Sequence, residues 1–112
     1  MSMLLAKKEG VVVVMPGEQL DSNSSPEAEQ LLVREIEAGE TKIVMDFSKT
    51  DYVSSAGLRV IMMAAILLKK ENGKIVLCNS NEQIFEVLEI SGFLKIMGHY
   101  PTFEEAVATM AD

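Results

Sequence analysis

Cysteine is nearly absent: Cys78 is the only one in 112 residues, so no internal disulfide and no cysteine-rich metal cluster can form. Histidine is as scarce, with His99 alone, and tryptophan is missing altogether. Basic residues are too few to balance the acidic ones, 10 Lys and Arg against 17 Asp and Glu, for a formal net charge of −7. Nucleic-acid binding relies on Lys and Arg to displace phosphate counterions, so this balance argues against it. Long hydrophobic runs are lacking too. The longest, Val60 to Leu68, falls well short of the roughly 20 residues that a membrane-spanning helix needs. No charged-then-apolar leader with a cleavage site opens the chain, and the expectation is a cytoplasmic protein with no membrane insertion.

The chemistry of common enzymes is missing as well. His99 follows Gly98 and has no Gly-x-Ser-x-Gly elbow to serve, which argues against a Ser-His hydrolase. Cys78 ends an apolar run and reads as a small buried residue rather than a nucleophile. Ala56-Gly57 has neither the spacing nor the lysine of a phosphate-binding loop. Asp46 could serve as the phosphoacceptor of a receiver domain only beside a magnesium-binding acidic cluster, and Pro16-Gly17-Glu18 offers a single carboxylate. The expectation is therefore a protein that is no enzyme and needs neither metal nor cofactor.

What remains is enough apolar sequence, 48% of residues, to bury one core, and a length that fits one domain, 1–112. Short β-rich runs alternate with helical ones, the pattern of an α/β domain with a largely parallel sheet. Leu4 to Lys7 and Val11 to Met15 flank Glu9-Gly10 as a hairpin. Pro16-Gly17 breaks the second strand, and Asp21 to Ser25 reads as an exposed loop. Ser24 or Ser25 then caps a helix with Pro26 and Glu27 in its first turn, Ala28, Leu31, Leu32 and Ile36 at helical spacing, and Gly39 at its end.

Lys42 to Phe47 is a compact apolar strand, and the next helix runs from Ser55 to about Lys70, ending at Asn72-Gly73. Lys74 to Cys78 resumes the sheet. Asn79 to Asn81 turns and caps a helix bearing Ile84, Val87 and Leu88, which Gly92 ends. Leu94 to Met97 is expected as a short last strand. Thr102 and Glu105 form a capping box for a final helix with Phe103, Ala106, Val107 and Met110 facing inward.

The most informative segment is Asp46 to Ile61, where a buried strand hands over to a helix through two serines, Ser54 and Ser55. The first N–H groups of a helix are unpaired and the helix dipole is positive there, so a phosphate on Ser55 would meet donors and favourable potential. A Ser-Ser pair before a helix also reads simply as an N-cap. Gly57 keeps the first turn slim, on this reading to let another protein approach Ser55. The helix is apolar almost all round, from Leu58 to Leu68, with Met62 and Met63 suited to an adaptable contact; neighbouring helices of the same domain are the alternative cover. Arg59 is the only charge in its first turns.

These residues resemble the anti-sigma factor antagonists, or STAS domains, over nearly the whole chain. The resemblance is carried by Lys42-Ile43-Val44-Met45-Asp46-Phe47-Ser48, Tyr52-Val53-Ser54-Ser55-Ala56-Gly57-Leu58-Arg59-Val60, Gly73-Lys74-Ile75-Val76-Leu77-Cys78 and Leu88-Glu89-Ile90-Ser91-Gly92-Phe93. It implies a mixed, largely parallel sheet of about four to five strands covered by about four helices. It also implies a bacterial regulator of transcription that binds an anti-sigma factor, itself a serine kinase, and so releases the sigma factor. Phosphorylation by that kinase would fall on Ser55, with Ser54 the second choice, and a phosphatase would reverse it. The family's usual aspartate before the phosphorylated serine is replaced here by Ser54. Asp46 would brace the Ser48 to Ser55 loop. The partner-binding surface would comprise Asp21, Ser22, Asn23, Ser24, Ser54, Ser55, Ala56, Gly57, Leu58, Arg59 and Met62. The apolar helix fits an alternative equally: a STAS subunit of a lipid-transport or stress-signalling assembly, with no phospho-switch.

Overall fold

The structure is a computed structural model and describes residues 3–110. Strands β1 (Leu4–Lys8) and β2 (Val11–Met15) form the expected hairpin, antiparallel from Leu4 opposite Met15 to Lys8 opposite Val11. Its two-residue turn places both Glu9 (φ 54°) and Gly10 (φ 81°) in the left-handed region, the geometry whose twist matches the flanking strands. β2, β4 (Lys42–Asp46), β6 (Lys74–Cys78) and β7 (Gly98–Tyr100) then run parallel, giving a five-stranded mixed sheet in the order β1-β2-β4-β6-β7. Two-residue strands β3 (Gln19–Leu20) and β5 (Tyr52–Val53) pair in parallel as a separate small ladder.

Central strands are apolar at consecutive positions because both faces of the sheet are covered. Val12, Val14, Ile43, Met45, Ile75 and Leu77 point to one face, where α1 (Ser25–Glu37), α2 (Ser55–Lys70) and α3 (Glu82–Ile90) supply Leu32, Ile61, Leu68 and Leu88. The alternate residues Val11, Val13, Val44, Val76 and Cys78 point to the other face, where the short α4 (Phe103–Ala108) and Met110 cover them. The alternation of the two sets follows from the period-two geometry of a strand. The result is the expected single α/β layer structure, with four α-helices and a largely parallel sheet among the described residues.

Two boundaries differ from expectation. β4 stops at Asp46, and Phe47 instead donates its N–H to the Cys78 carbonyl (3.0 Å). Leu94 to Met97 is not a strand: Phe93–Lys95 form a 3₁₀ turn, and the edge strand is Gly98–Tyr100. Gly92 (φ 82°) ends α3, and the Ile96 and Met97 N–H groups both donate to the Phe93 carbonyl (each 3.0 Å). Phe93 and Met97, four residues apart, are the two that bury. The apolar spacing was helical, and strand β7 forms from residues whose pairing with β6 outweighs their lack of an apolar run.

Candidate functional site

The carboxyl ends of β2, β4 and β6 open onto the loops 16–18, 47–51 and 79–81, and hydrogen bonds bind these loops into one surface. Asp46, buried at the end of β4, accepts at Oδ1 from Ser48 N (2.9 Å) and from Asn79 Nδ2 (3.1 Å). Thr50 Oγ1 donates to the Pro16 carbonyl (3.2 Å), and Asn81 Nδ2 to the Asp51 carbonyl (3.2 Å). Asp51 N donates to Glu18 O (2.7 Å) and Ser54 N to Leu20 O (2.9 Å), extending the short β3–β5 ladder at both ends. The chain therefore enters α2 from a loop pinned on both sides.

Ser54 is the N-cap of α2: its backbone is extended and its Oγ accepts a long bond from Gly57 N (3.4 Å). Ser55 is the first helical residue, exposed, and its side-chain hydroxyl has no protein partner among the described residues. The N–H groups of Ser55 and Ala56 have no protein acceptor among them either. The other three α-helices each carry glutamate in the first turn (Glu27, Glu82, and Glu104 with Glu105), whereas α2 carries none. Its positive end is left without an acidic side chain of its own, beside an accessible hydroxyl.

The turn before α1 comes to the same place. A groove between α1 and α2 is lined by Ser22, Ser25, Pro26 and Glu29 on one side and Ala56, Arg59, Val60 and Met63 on the other. Ser22, Asn23, Ser55 and Arg59 are exposed, and Asp21, Ser54, Ala56, Leu58 and Met62 are partly so. Met62 lies elsewhere on α2, lining a second groove with Ala65, Ile66 and residues of β6 and β7.

Two of the residues expected at a partner surface are instead internal. Ser24 is buried, with Oγ donating to Gln19 O (2.7 Å) and accepting from Asp21 N (3.1 Å). Asp21 Oδ1 accepts from Asn23 N and Ser24 N, so the segment is a tight Asx-type turn rather than a wholly exposed loop. Ser24 holds the N-cap position of α1, but neither it nor the buried Ser25 makes a side-chain cap. Gly57 is also buried. A Cβ there would lie 2.5 Å from Leu20 O and 2.9 Å from Leu20 Cγ, so glycine is required for α2 to pack on β3.

A contact between Ser80 Oγ and His99 Nε2, the latter on β7, was not legible in the sequence, where nineteen residues separate them. The Phe85 ring meets the imidazole in a T-shaped arrangement (centroids 5.0 Å apart), and burial lowers the His99 pKa from its ordinary value. No carboxylate hydrogen-bonds the ring among the described residues. The Cys78 thiol is pushed up to about 12, first by burial and then by Asp46 and Glu104, and stays protonated at neutral pH. Tyr52, half exposed on β5 beside the pinned loop, is a further surface residue that its position in a strand-like run concealed. Among the described residues no cluster of three or more His, Cys, Asp or Glu can hold a metal, and no helix is long and apolar enough to cross a membrane.

A doubly covered, mostly parallel sheet with a serine exposed at the head of the helix after its central strand defines the class, and comparison with known proteins fixes the family. The STAS domain family model matches residues 2–106, and the chain belongs to that family. It is 39% identical over 106 residues to a Bordetella bronchiseptica protein named as anti-sigma factor antagonist BtrV, covering 95% of this chain and 84% of that one. The fold superimposes on a Thermotoga maritima protein described as an anti-sigma factor antagonist, with TM-score 0.91, 23% identity, and 96% and 92% of the two chains covered. It also matches the phosphorylated form of the Bacillus cell-fate determinant SpoIIAA, with TM-score 0.79, 21% identity, and 98% and 100% covered.

Proposed function

We propose that this domain is an anti-sigma factor antagonist whose affinity for its partner is set by phosphorylation at Ser55. Unphosphorylated, it docks on an anti-sigma factor that is a serine kinase, and the sigma factor is freed. Phosphoryl transfer to Ser55 Oγ releases the domain, and a phosphatase restores it. The observation that carries this reading is the exposed Ser55 hydroxyl at the head of α2, without a partner among the described residues, beside N–H donors that likewise lack an acceptor there and away from any acidic residue of its own first turn. The 39% identity to BtrV, whose name says only anti-sigma factor antagonist, supports that part of the reading, and the shared fold with SpoIIAA, which has been solved in phosphorylated and unphosphorylated forms, is consistent with the switch.

Ser55 ranks above Ser54 as acceptor because it is exposed, whereas Ser54 is partly buried with its Oγ turned to the Gly57 N–H. A phosphoryl group adds about 1.5 to 2 negative charges in the middle of the docking surface. In the free domain, water and the α2 N-terminus stabilise it; in a complex it would lose that water to a contact that fits the bare hydroxyl. The remaining contacts assigned to the partner are Asp21, Ser22, Asn23, Ser54, Ala56, Arg59 and the exposed part of Leu58, with Asp46 holding the loop in place.

The test is purification of wild type, Ser55→Ala and Ser55→Glu from the native cell, with peptide mass spectrometry of the domain and of whatever accompanies it. Phosphate on Ser55, an anti-sigma kinase held constitutively by Ser55→Ala, and its loss from Ser55→Glu are the expected outcome. A phosphate-free Ser55 under every growth condition, with one stable partner on all three proteins, would replace this reading with a permanent subunit of a larger assembly.

A further inference from the structure

We propose that Arg59 is the built-in counter-ion of a phosphoryl group on Ser55, so that phosphorylation withdraws a docking cation as well as adding an anion. This deepens the reading above and rests on Ser55 as the acceptor. Ser55 and Arg59 are four residues apart on α2, the spacing that brings side chains together on one face of a helix. Both are exposed, and Arg59 makes no ion pair or hydrogen bond among the described residues. It is the only charge in the first two turns of α2, since Lys69 and Lys70 lie at the far end. Guanidinium presents a planar fork of donors that matches phosphate oxygens, and it stays charged at any relevant pH.

A second feature of the same place points the same way. Arg59 and Ala56 line the α1–α2 groove opposite Ser22 and Ser25. Ser25 is 6% exposed, and its Oγ is buried without a hydrogen-bond partner among the described residues. A buried hydroxyl without an acceptor is an unmet demand, and a phosphate oxygen entering this groove would meet it. Glu29 lines the α1 side of the groove and disfavours an anion beside it, which favours the α2 end, with Arg59 and the N–H groups of Ser55 and Ala56 that have no acceptor among the described residues.

The regulatory consequence is a switch with two linked changes. In the unphosphorylated domain Arg59 projects free and can meet a carboxylate of the partner. Once Ser55 carries phosphate, the same guanidinium turns back to it, and the partner loses that contact while facing a new anion. The free phosphorylated domain is stabilised by the very pairing that the complex would have to break.

The test installs phosphoserine at position 55 by genetic encoding, which needs no kinase, in wild type, Arg59→Gln and Arg59→Lys, with a phosphopeptide spanning residues 50–62 as the unfolded reference. The readout is the second ionisation of the phosphate, followed by ³¹P NMR titration. The wild-type value is expected below that of Arg59→Gln by about half a pH unit or more, a gap that narrows at high salt and is partly restored by lysine. Equal values in wild type and Arg59→Gln overturn the proposal, including the case where both lie equally far below the peptide and the helix end alone accounts for the shift. Because the phosphate is placed synthetically, absence of an anti-sigma kinase in the cell defeats only the functional reading and leaves this measurement standing.

Discussion

Gly57 sits where a side chain has no room. Replacing it with alanine improves helix propensity by up to about 1 kcal/mol, but the added Cβ would meet the backbone carbonyl of Leu20, which cannot swing aside as a side chain can. The clash is expected to win, with Gly57→Ala less stable by about 1–3 kcal/mol in urea unfolding. A neutral or stabilising outcome would show that α2 can slide on β3. His99 gives a pH signature. Burial holds its folded pKa below the ordinary 6.5, so the unfolded chain takes up a proton first as the pH falls. Its contribution to stability is complete above about pH 6.5 and is lost as pH falls through the lower folded value. Wild type should therefore lose more stability than His99→Gln between pH 7.5 and pH 5.5. Parallel losses in the two proteins would place the acid sensitivity elsewhere.

The loop between β4 and α2 is the element on which the candidate site depends, and Asp46 is its anchor. Asp46→Ala leaves the Ser48 N–H and the Asn79 amide without their acceptor at a buried position. A loss of about 1–3 kcal/mol is expected, together with faster amide exchange across residues 48–54. Unchanged exchange there would mean that the Thr50 and Asn81 bonds suffice to hold the loop. The elements with long apolar patterns were legible from sequence: the hairpin, the three larger helices, and strands β4 and β6, each marked by a periodic run and closed by a residue of special backbone geometry such as Gly39 (φ 100°) or Gly92 (φ 82°). The ladder β3–β5 was not, because two residues per strand are too few to show any period. β7 was displaced because the apolar run Leu94 to Met97 forms a helical turn, while Gly98-His99-Tyr100 pairs by backbone alone. At the site, the Ser-Ser junction and its helix were legible, but the inward roles of Ser24 and Gly57 depend on contacts with Gln19 and Leu20 that no local pattern records.

At the scale of the whole molecule, an excess of seven negative charges surrounds the proposed docking surface, whose cation on α2 is Arg59. Glu18, Asp21 and Glu27 line a shallow pocket on the near side of the α1 turn, and Glu29 lines the α1–α2 groove. A partner that seats here meets an acidic field with few basic points inside it, Arg59 on α2 and Lys49 on the pinned loop, so its own surface is expected to be basic overall with a carboxylate set opposite Arg59. Such a field acts on encounter more than on the bound state, since long-range attraction raises the association rate and salt removes it beyond a Debye length of about 10 Å at 0.1 M. Association of the unphosphorylated domain with its anti-sigma partner, measured by stopped flow, is expected to slow by about tenfold or more between low salt and about 0.5 M, with dissociation changing far less. Arg59→Gln separates the two effects. Removing a cation makes the domain more acidic, so steering toward a basic partner should be kept or strengthened, while loss of the local pair should speed dissociation. An association rate indifferent to salt would mean that the acidity serves solubility alone and that the docking surface is recognised by shape and hydrogen bonding.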